Sequence, residues 1–246
     1  MLWAKAKKTM KRSVMIMSRS TLTTYTNITN HKSAGRGGKK IDKIFVHHMA
    51  GNLTVQQCGN VFRSAQASAH YGVNGKNVGC YVDEKDTAWH CGNFKYNQRS
   101  IGIELANDRG ASGNWHVSDK TIETAIALIA DICKRNDIKE LKYTGDLSGN
   151  LCMHCWVCST ACPGPYLKKK FSYIAKEVNK ILAGKSVPFL VRVSVSDLYI
   201  RKGAGTSYKT NGFIKPGVYT IVQTKGNWGK LKSGEGWICL KYATML

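Results

Sequence analysis

Apolar residues fall along this chain in two rhythms. Residues 41–49 (IDKIFVHHM) are a run of β-branched and aromatic positions closed by two histidines, which predicts a buried strand. Residues 100–106 (SIGIELA) repeat the pattern, with one carboxylate, Glu104, among apolar neighbours. Residues 68–73 and 78–83 predict strands on either side of an Asn74-Gly75-Lys76 turn. Elsewhere the period lengthens to that of a helix. In residues 54–64, Thr54 is placed to cap, and Val55, Cys58, Val61 and Phe62 form an apolar face. In residues 118–135, Ser118 caps, Asp119 suits the first turn, Ile122, Ile126, Ile129 and Cys133 recur on one face, and Lys134 and Arg135 complement the C-terminal dipole. After Pro165 an amphipathic helix runs to about residue 182, with Leu167, Phe171, Ile174, Val178 and Ile181 inward.

Beyond residue 183 the helical period vanishes. Short strands (VRVSV, LYIRKG, GVYTIVQ, WGKLK, GWICL) alternate with glycine turns, so residues 190–246 read as a small all-β module behind a linker at 184–189. At the other end, residues 1–35 read as a basic arm or leader, and the polar, glycine-rich stretch 21–40 as an arm or loop. The leader's apolar part is only Val14-Met15-Ile16-Met17, short of the roughly 7–15 apolar residues of a secretory core. The expectation is therefore a chain made in the cytoplasm without a signal peptide. No apolar run is long enough to span a bilayer.

Charge changes this picture only at the ends. Of a net +22, residues 1–40 hold ten Lys/Arg and no Asp/Glu, and residues 184–246 hold ten against two. The middle is nearly balanced. Basic ends point to a polyanionic partner, and the lack of an accompanying aromatic-and-basic motif argues against nucleic acid.

The candidate chemistry concentrates in residues 151–167, LCMHCWVCSTACPGPYL. Read through Cys152, Cys155, Cys158 and Cys162-Pro163, it has the spacing of an iron–sulfur run. Read through His154 and Cys162, it is part of a zinc site whose remaining ligand lies upstream. A His pair at a strand end, His47-His48, is a candidate source, and strand alternation sends the two to opposite faces. Glu104 is either a salt-bridged structural group or an acid/base with a raised pKa. The other five cysteines make no second iron–sulfur run.

IFVHH, SAHYGV, AWHCG, SIGIELAN and HCWVCSTACPGPYL stand in the order and spacing of the type-2 N-acetylmuramoyl-L-alanine amidases, which include phage endolysins and peptidoglycan recognition proteins. The resemblance covers roughly residues 35–183. It implies an α/β fold with a mixed central β-sheet flanked by helices over residues 36–183, and one Zn2+ held by His47, His154 and Cys162. It also implies Glu104 as general base and Thr160 as a hydroxyl near the oxyanion, where many relatives carry Lys. His70, Tyr71, Trp89 and His90 match blocks that line the family's substrate groove, with packing behind the sheet as the alternative for Tyr71 and Trp89. His48 is left as a core or supporting histidine. The C-terminal module resembles a bacterial SH3-like barrel that binds cell wall. The implied partners are bacterial peptidoglycan and anionic wall polymers, with action on the wall after release from the cytoplasm. The implied reaction cuts the amide between N-acetylmuramic acid and L-alanine; a peptidoglycan binder without activity is the alternative.

Overall fold

The structure is a computed structural model that describes residues 18–183 and 188–246. The chain divides into two compact units, one running through Ile138 and adding Lys142–Phe171, the other made of Lys139–Leu141 and Ser172–Leu246. The division falls inside a helix, ahead of the linker expected at 184–189, whose residues 184–187 lie outside the described part, as does the leader up to residue 17.

The first unit is built on a six-stranded sheet. Its elements are β1 (Tyr25–Thr26), β2 (Lys32–Ser33), β3 (Lys43–His48), α1 (Val55–Ser64), β4 (Tyr71–Asn74), β5 (Asn77–Cys80), β6 (Thr87–Ala88), α2 (Phe94–Asn97), β7 (Ser100–Leu105), α3 (Asp119–Arg135) and β8 (Leu151–Met153), and the division falls within α4 (Gly164–Leu182). The sheet order is β1-β5-β4-β7-β3-β8. β4 and β5 form an antiparallel hairpin, and the other neighbours run parallel. The sheet is thus mixed, as the resemblance implies. β3 is an interior strand between β7 and β8 and is almost fully buried, which explains its unbroken apolar run: a strand covered on both faces has no polar side to show.

Local chemistry sets the helices. Thr54 and Gln57 form a reciprocal capping box at α1, and Ser118 Oγ accepts the Thr121 N–H at the start of α3. All four apolar positions expected on α3 are buried. Two other expected core positions are not. Val61 is 47% exposed, and the buried face of α1 is instead Val55, Cys58, Gly59 and Phe62, with Gly59 close against the Tyr81 ring. Ile181 is exposed in the last turn of α4, after Val178 has become the final buried position.

The largest departure from the sequence reading is at the N-terminal side. The stretch from Ser18 on, read as part of an arm, is folded against the sheet. β1 pairs with β5, β2 pairs with β6, and the Ser20 N–H donates to Tyr71 Oη at 2.8 Å. Arg36 is the anchor. Buried, it donates to the carbonyls of Glu84 (2.5 Å), Gln98 (3.0 Å) and Ser100 (3.0 Å), and it meets His70 Nε2 at 2.7 Å. Hydropathy misses it because a guanidinium with its donors satisfied by carbonyls is tolerated inside. Replacing Arg36 with Met leaves these acceptors unpaired. The expected cost is about 3 kcal/mol, a fall in Tm on the order of 10 °C, read by thermal denaturation.

The second unit carries a seven-stranded antiparallel sheet, in the order β11-β10-β14-β13-β12-β9-β15. Its strands are β9 (Phe189–Val193), β10 (Tyr199–Arg201), β11 (Thr210–Phe213), β12 (Gly217–Lys225), β13 (Trp228–Leu231), β14 (Trp237–Cys239) and β15 (Ala243–Met245). Five of these were expected from the sequence. β11 and β15 were not, because their residues are largely exposed and carry no apolar alternation. Val191, Val193, Leu198, Ile200, Ile214, Ile221, Leu231 and Ile238 form the core of this all-β sheet.

Candidate metal centre

The site is assembled by strand register. β3 and β7 run parallel with His47 opposite Glu104, and residues that face each other on adjacent strands project to the same side of the sheet. His47 is therefore flanked by the carboxylate of the neighbouring strand, and His48 is sent to the other face, where its ring meets Trp115 edge-on at 5.2 Å. On the far side of β3, β8 is paired through Val46–Met153, which delivers the next residue, His154, beside His47. Cys162 lies in the turn before α4 and completes the group; its N–H donates to Thr160 Oγ1 at 3.2 Å.

The three ligand atoms converge. His47 Nδ1 is 3.2 Å from His154 Nδ1 and 3.5 Å from Cys162 Sγ, and one ligand atom from each residue falls within a 4.8 Å group. A tetrahedral ion with zinc–nitrogen bonds of about 2.0–2.1 Å and a zinc–sulfur bond of about 2.3 Å has N···N edges of about 3.3 Å and N···S edges of about 3.6 Å. The two separations from His47 Nδ1 match these edges, and all three atoms lie within 4.8 Å of one another, so the donor set can close on a zinc-type ion. The electrostatics agree. Burial, helped by the neighbouring imidazoles, holds the His47 pKa well below the usual histidine value, so the ring is neutral and able to ligate. Burial also pushes the Cys162 thiol up, so it keeps its proton until a cation replaces it.

The Oε2 of Glu104 is buried without a hydrogen-bond partner, and among the described residues Glu104 forms no ion pair. Burial alone lifts its pKa from 4.5 to about 8. A carboxyl tuned in this way exchanges a proton near neutral pH.

The four cysteines of the iron–sulfur spacing do not gather into one shell. Cys152 packs with Phe45 and Cys91, its thiol towards Gly149 O. Cys158 Sγ sits 3.0 Å from His154 Nε2. Among the described residues, the cluster of potential metal ligands is His47, His154 and Cys162.

The residues expected along a substrate groove separate. Tyr71 is fully buried on the face opposite Glu104, since it pairs with Ile103 and its neighbour Gly72 pairs with Glu104. Its hydroxyl donates to Glu84 Oε1 at 2.5 Å, and the Glu84 carboxylate is gripped by both Arg135 terminal nitrogens at 2.6 and 2.7 Å. It is a structural residue, and the substrate-contact expectation does not hold for it. His70 is also fully buried, its Nδ1 accepting the Gly102 N–H at 3.1 Å and its Nε2 facing Arg36, so it too is enclosed. His90 is buried behind His47 rather than lining a groove; its Nδ1 lies 3.1 Å from His47 Nε2. Trp89 remains half-buried, with its indole N–H donated to Ser33 Oγ at 3.0 Å.

Sequence reasoning missed the residues behind the ligands: Ser100, which bonds His90, and Gly102, on which His90 lies. A Cβ at Gly102 would stand 2.4 Å from His90 Cγ. Gly102→Ala is therefore expected to displace His90 and lower both Tm and zinc affinity, measured in parallel on the same preparation; an unchanged pair would show that this contact is slack.

Comparison with known proteins agrees with this geometry. A sequence profile described as N-acetylmuramoyl-L-alanine amidase matches residues 37–165. The N-acetylmuramoyl-L-alanine amidase CwlL of Bacillus licheniformis is 25% identical over 155 residues, which cover 58% of this chain and 39% of that protein. This chain thus spans well under half the length of that relative. Among solved structures, Staphylococcus aureus hydrolase AmiA in complex with its ligand superposes with a TM-score of 0.53 at 19% identity, covering 67% of this chain and 87% of that one. The solution structure of the PlyG catalytic domain gives a TM-score of 0.51 at 16% identity, covering 67% and 98%. At these identities the structures show a shared α/β fold. The profile match spans more than half of the sequence, and the chain belongs to the type-2 N-acetylmuramoyl-L-alanine amidase family.

Proposed function

We propose that this protein hydrolyses the amide between the lactyl group of N-acetylmuramic acid and L-alanine in peptidoglycan, with Zn2+ held by His47, His154 and Cys162. The observation that carries the reading is the placement of Glu104, half-buried and with its Oε2 enclosed without a hydrogen-bond partner, on the strand rung beside a three-atom ligand cluster. Zinc bound there supplies Lewis-acid polarisation of the scissile carbonyl and acidifies water. Glu104 takes the proton from the attacking water and returns it to the departing L-alanine amine. Thr160 Oγ1 accepts the Cys162 N–H, which leaves its own proton free to donate to the oxygen that gains charge. His47, kept neutral by burial, binds without competing for that proton.

The second unit is proposed to be an SH3-like wall-binding module. Its small all-β core and excess of basic residues support this, as do the exposed aromatics Tyr199, Tyr208, Phe213 and Tyr242. The resemblance to endolysins supports a phage or prophage enzyme, made in the cytoplasm and acting on the wall after release, where basic residues favour anionic polymers.

Digestion of purified peptidoglycan tests the reaction. New free amino groups without new reducing ends, lost on adding a zinc chelator, are the expected products. Reducing ends would identify a glycosidase and end the amidase reading. Neither product, with the protein still pelleting with the wall, would make this a binder.

A further inference from the structure

His47 offers Nδ1 to the ligand cluster and turns Nε2 inward, 3.1 Å from His90 Nδ1. A neutral imidazole carries one N–H, so the inner contact decides which nitrogen of His47 is bare. Ser100 settles the question. Its hydroxyl donates its single proton to Tyr96 O at 2.7 Å. It therefore meets His90 Nε2, 2.9 Å away, as an acceptor, and His90 carries its proton on Nε2. His90 Nδ1 is then a lone pair and accepts from His47 Nε2–H. That leaves His47 Nδ1 bare and facing His154 and Cys162. Every direction in the chain follows from the carbonyl at its end, which only accepts. The relay is also held mechanically. The His90 ring lies on Gly102 with no room for a Cβ between them, packs against Phe45 at 5.4 Å, and its backbone N–H donates to Asn97 Oδ1 at 3.3 Å.

We propose that His90 and Ser100 are positioning residues of the metal centre, fixing His47 in the one tautomer and orientation that presents Nδ1 to a divalent cation. The proposal rests on the reading of His47 as a ligand. It gives His90 a role behind the metal, not against the substrate.

Two measurements test it. Ring-nitrogen NMR on isotopically labelled, metal-free protein should find His47 protonated on Nε2 and bare on Nδ1. Zinc affinity, by competition with a chromophoric chelator, should fall about 10–100-fold in His90→Leu and less in Ser100→Ala. It should largely recover in His90→Asn, whose side-chain oxygen stands where Nδ1 stood. His47→Ala should lose the ion. Wild-type His47 protonated on Nδ1, or unchanged affinity in a folded His90→Leu while His47→Ala is zinc-free, overturns the relay and leaves the ligand set standing. Zinc retained by His47→Ala overturns the ligand reading, and the relay with it. Should His90→Leu fail to fold, the wild-type tautomer and the milder Ser100→Ala decide the matter.

Discussion

Glu104→Gln is expected to lower turnover of purified peptidoglycan by about 10²–10⁴-fold while leaving zinc content and fold intact. Gln matches the shape of the carboxyl but neither takes nor returns a proton. The same substitution should make the metal-free protein more stable in alkaline solution. In the folded chain burial lifts the Glu104 pKa to about 8, against an ordinary 4.5. The folded state therefore holds a proton that the unfolded chain has released throughout the window between them. Stability falls as pH rises through that window, at up to ~1.4 kcal/mol per pH unit. The variant escapes this penalty. Near pH 4 the two proteins should melt alike; by pH 8 the variant should lead by on the order of 3 kcal/mol. Denaturant titrations at both pH values, with chelator present, check the sign. A lead that shrinks with rising pH would show that the carboxyl has a partner, and full turnover by the variant would remove Glu104 from the reaction.

Cys162→Ser should abolish both metal binding and turnover. The thiol is the only ligand of the three that gains a negative charge on binding, and a serine hydroxyl stays neutral at pH 7. The loss of affinity should exceed the roughly 10–100-fold expected for disturbing an outer partner. Because burial keeps the Cys162 thiol protonated before the ion arrives, uptake must release a proton. Wild-type affinity is therefore expected to climb by up to about tenfold per pH unit between pH 6 and 8, read by calorimetry in buffers of different ionisation enthalpy. A pH-independent affinity with no proton release would mean that Cys162 is not the ligand.

The parts of the fold legible in the sequence are those where one period dominates. The α1 and α3 caps and the runs of β3 and β7 were read correctly because a buried face repeats and short polar residues mark the ends. The grouping of His47, His154 and Cys162 was implied by family resemblance and not by spacing, since His47 and His154 are over a hundred residues apart and the pairing of β3 with β8 unites them. The N-terminal stretch after Ser18 was misread because its cohesion comes from polar groups. Arg36 and Thr29 are buried by hydrogen bonds to carbonyls, which carry no hydrophobic signal. Tyr71 took the packing alternative, and His70 is enclosed by Arg36 and Gly102. A motif block gives neighbours in sequence, but the pleat sends adjacent residues to opposite faces, so Tyr71 was bound to leave the side that carries Glu104.

The pairing of His47 with Glu104 on neighbouring rungs has a use outside catalysis. A slip of β3 by one residue against β7 and β8 would turn His47 to the opposite face and bring His48 forward in its place, separating the ligands. If the site takes zinc as proposed, its capture would report native strand alignment. In a refolding experiment, an absorbing ion such as Co(II) would acquire its thiolate colour only in molecules whose central strands have zipped in register, and would separate them from compact but misaligned ones.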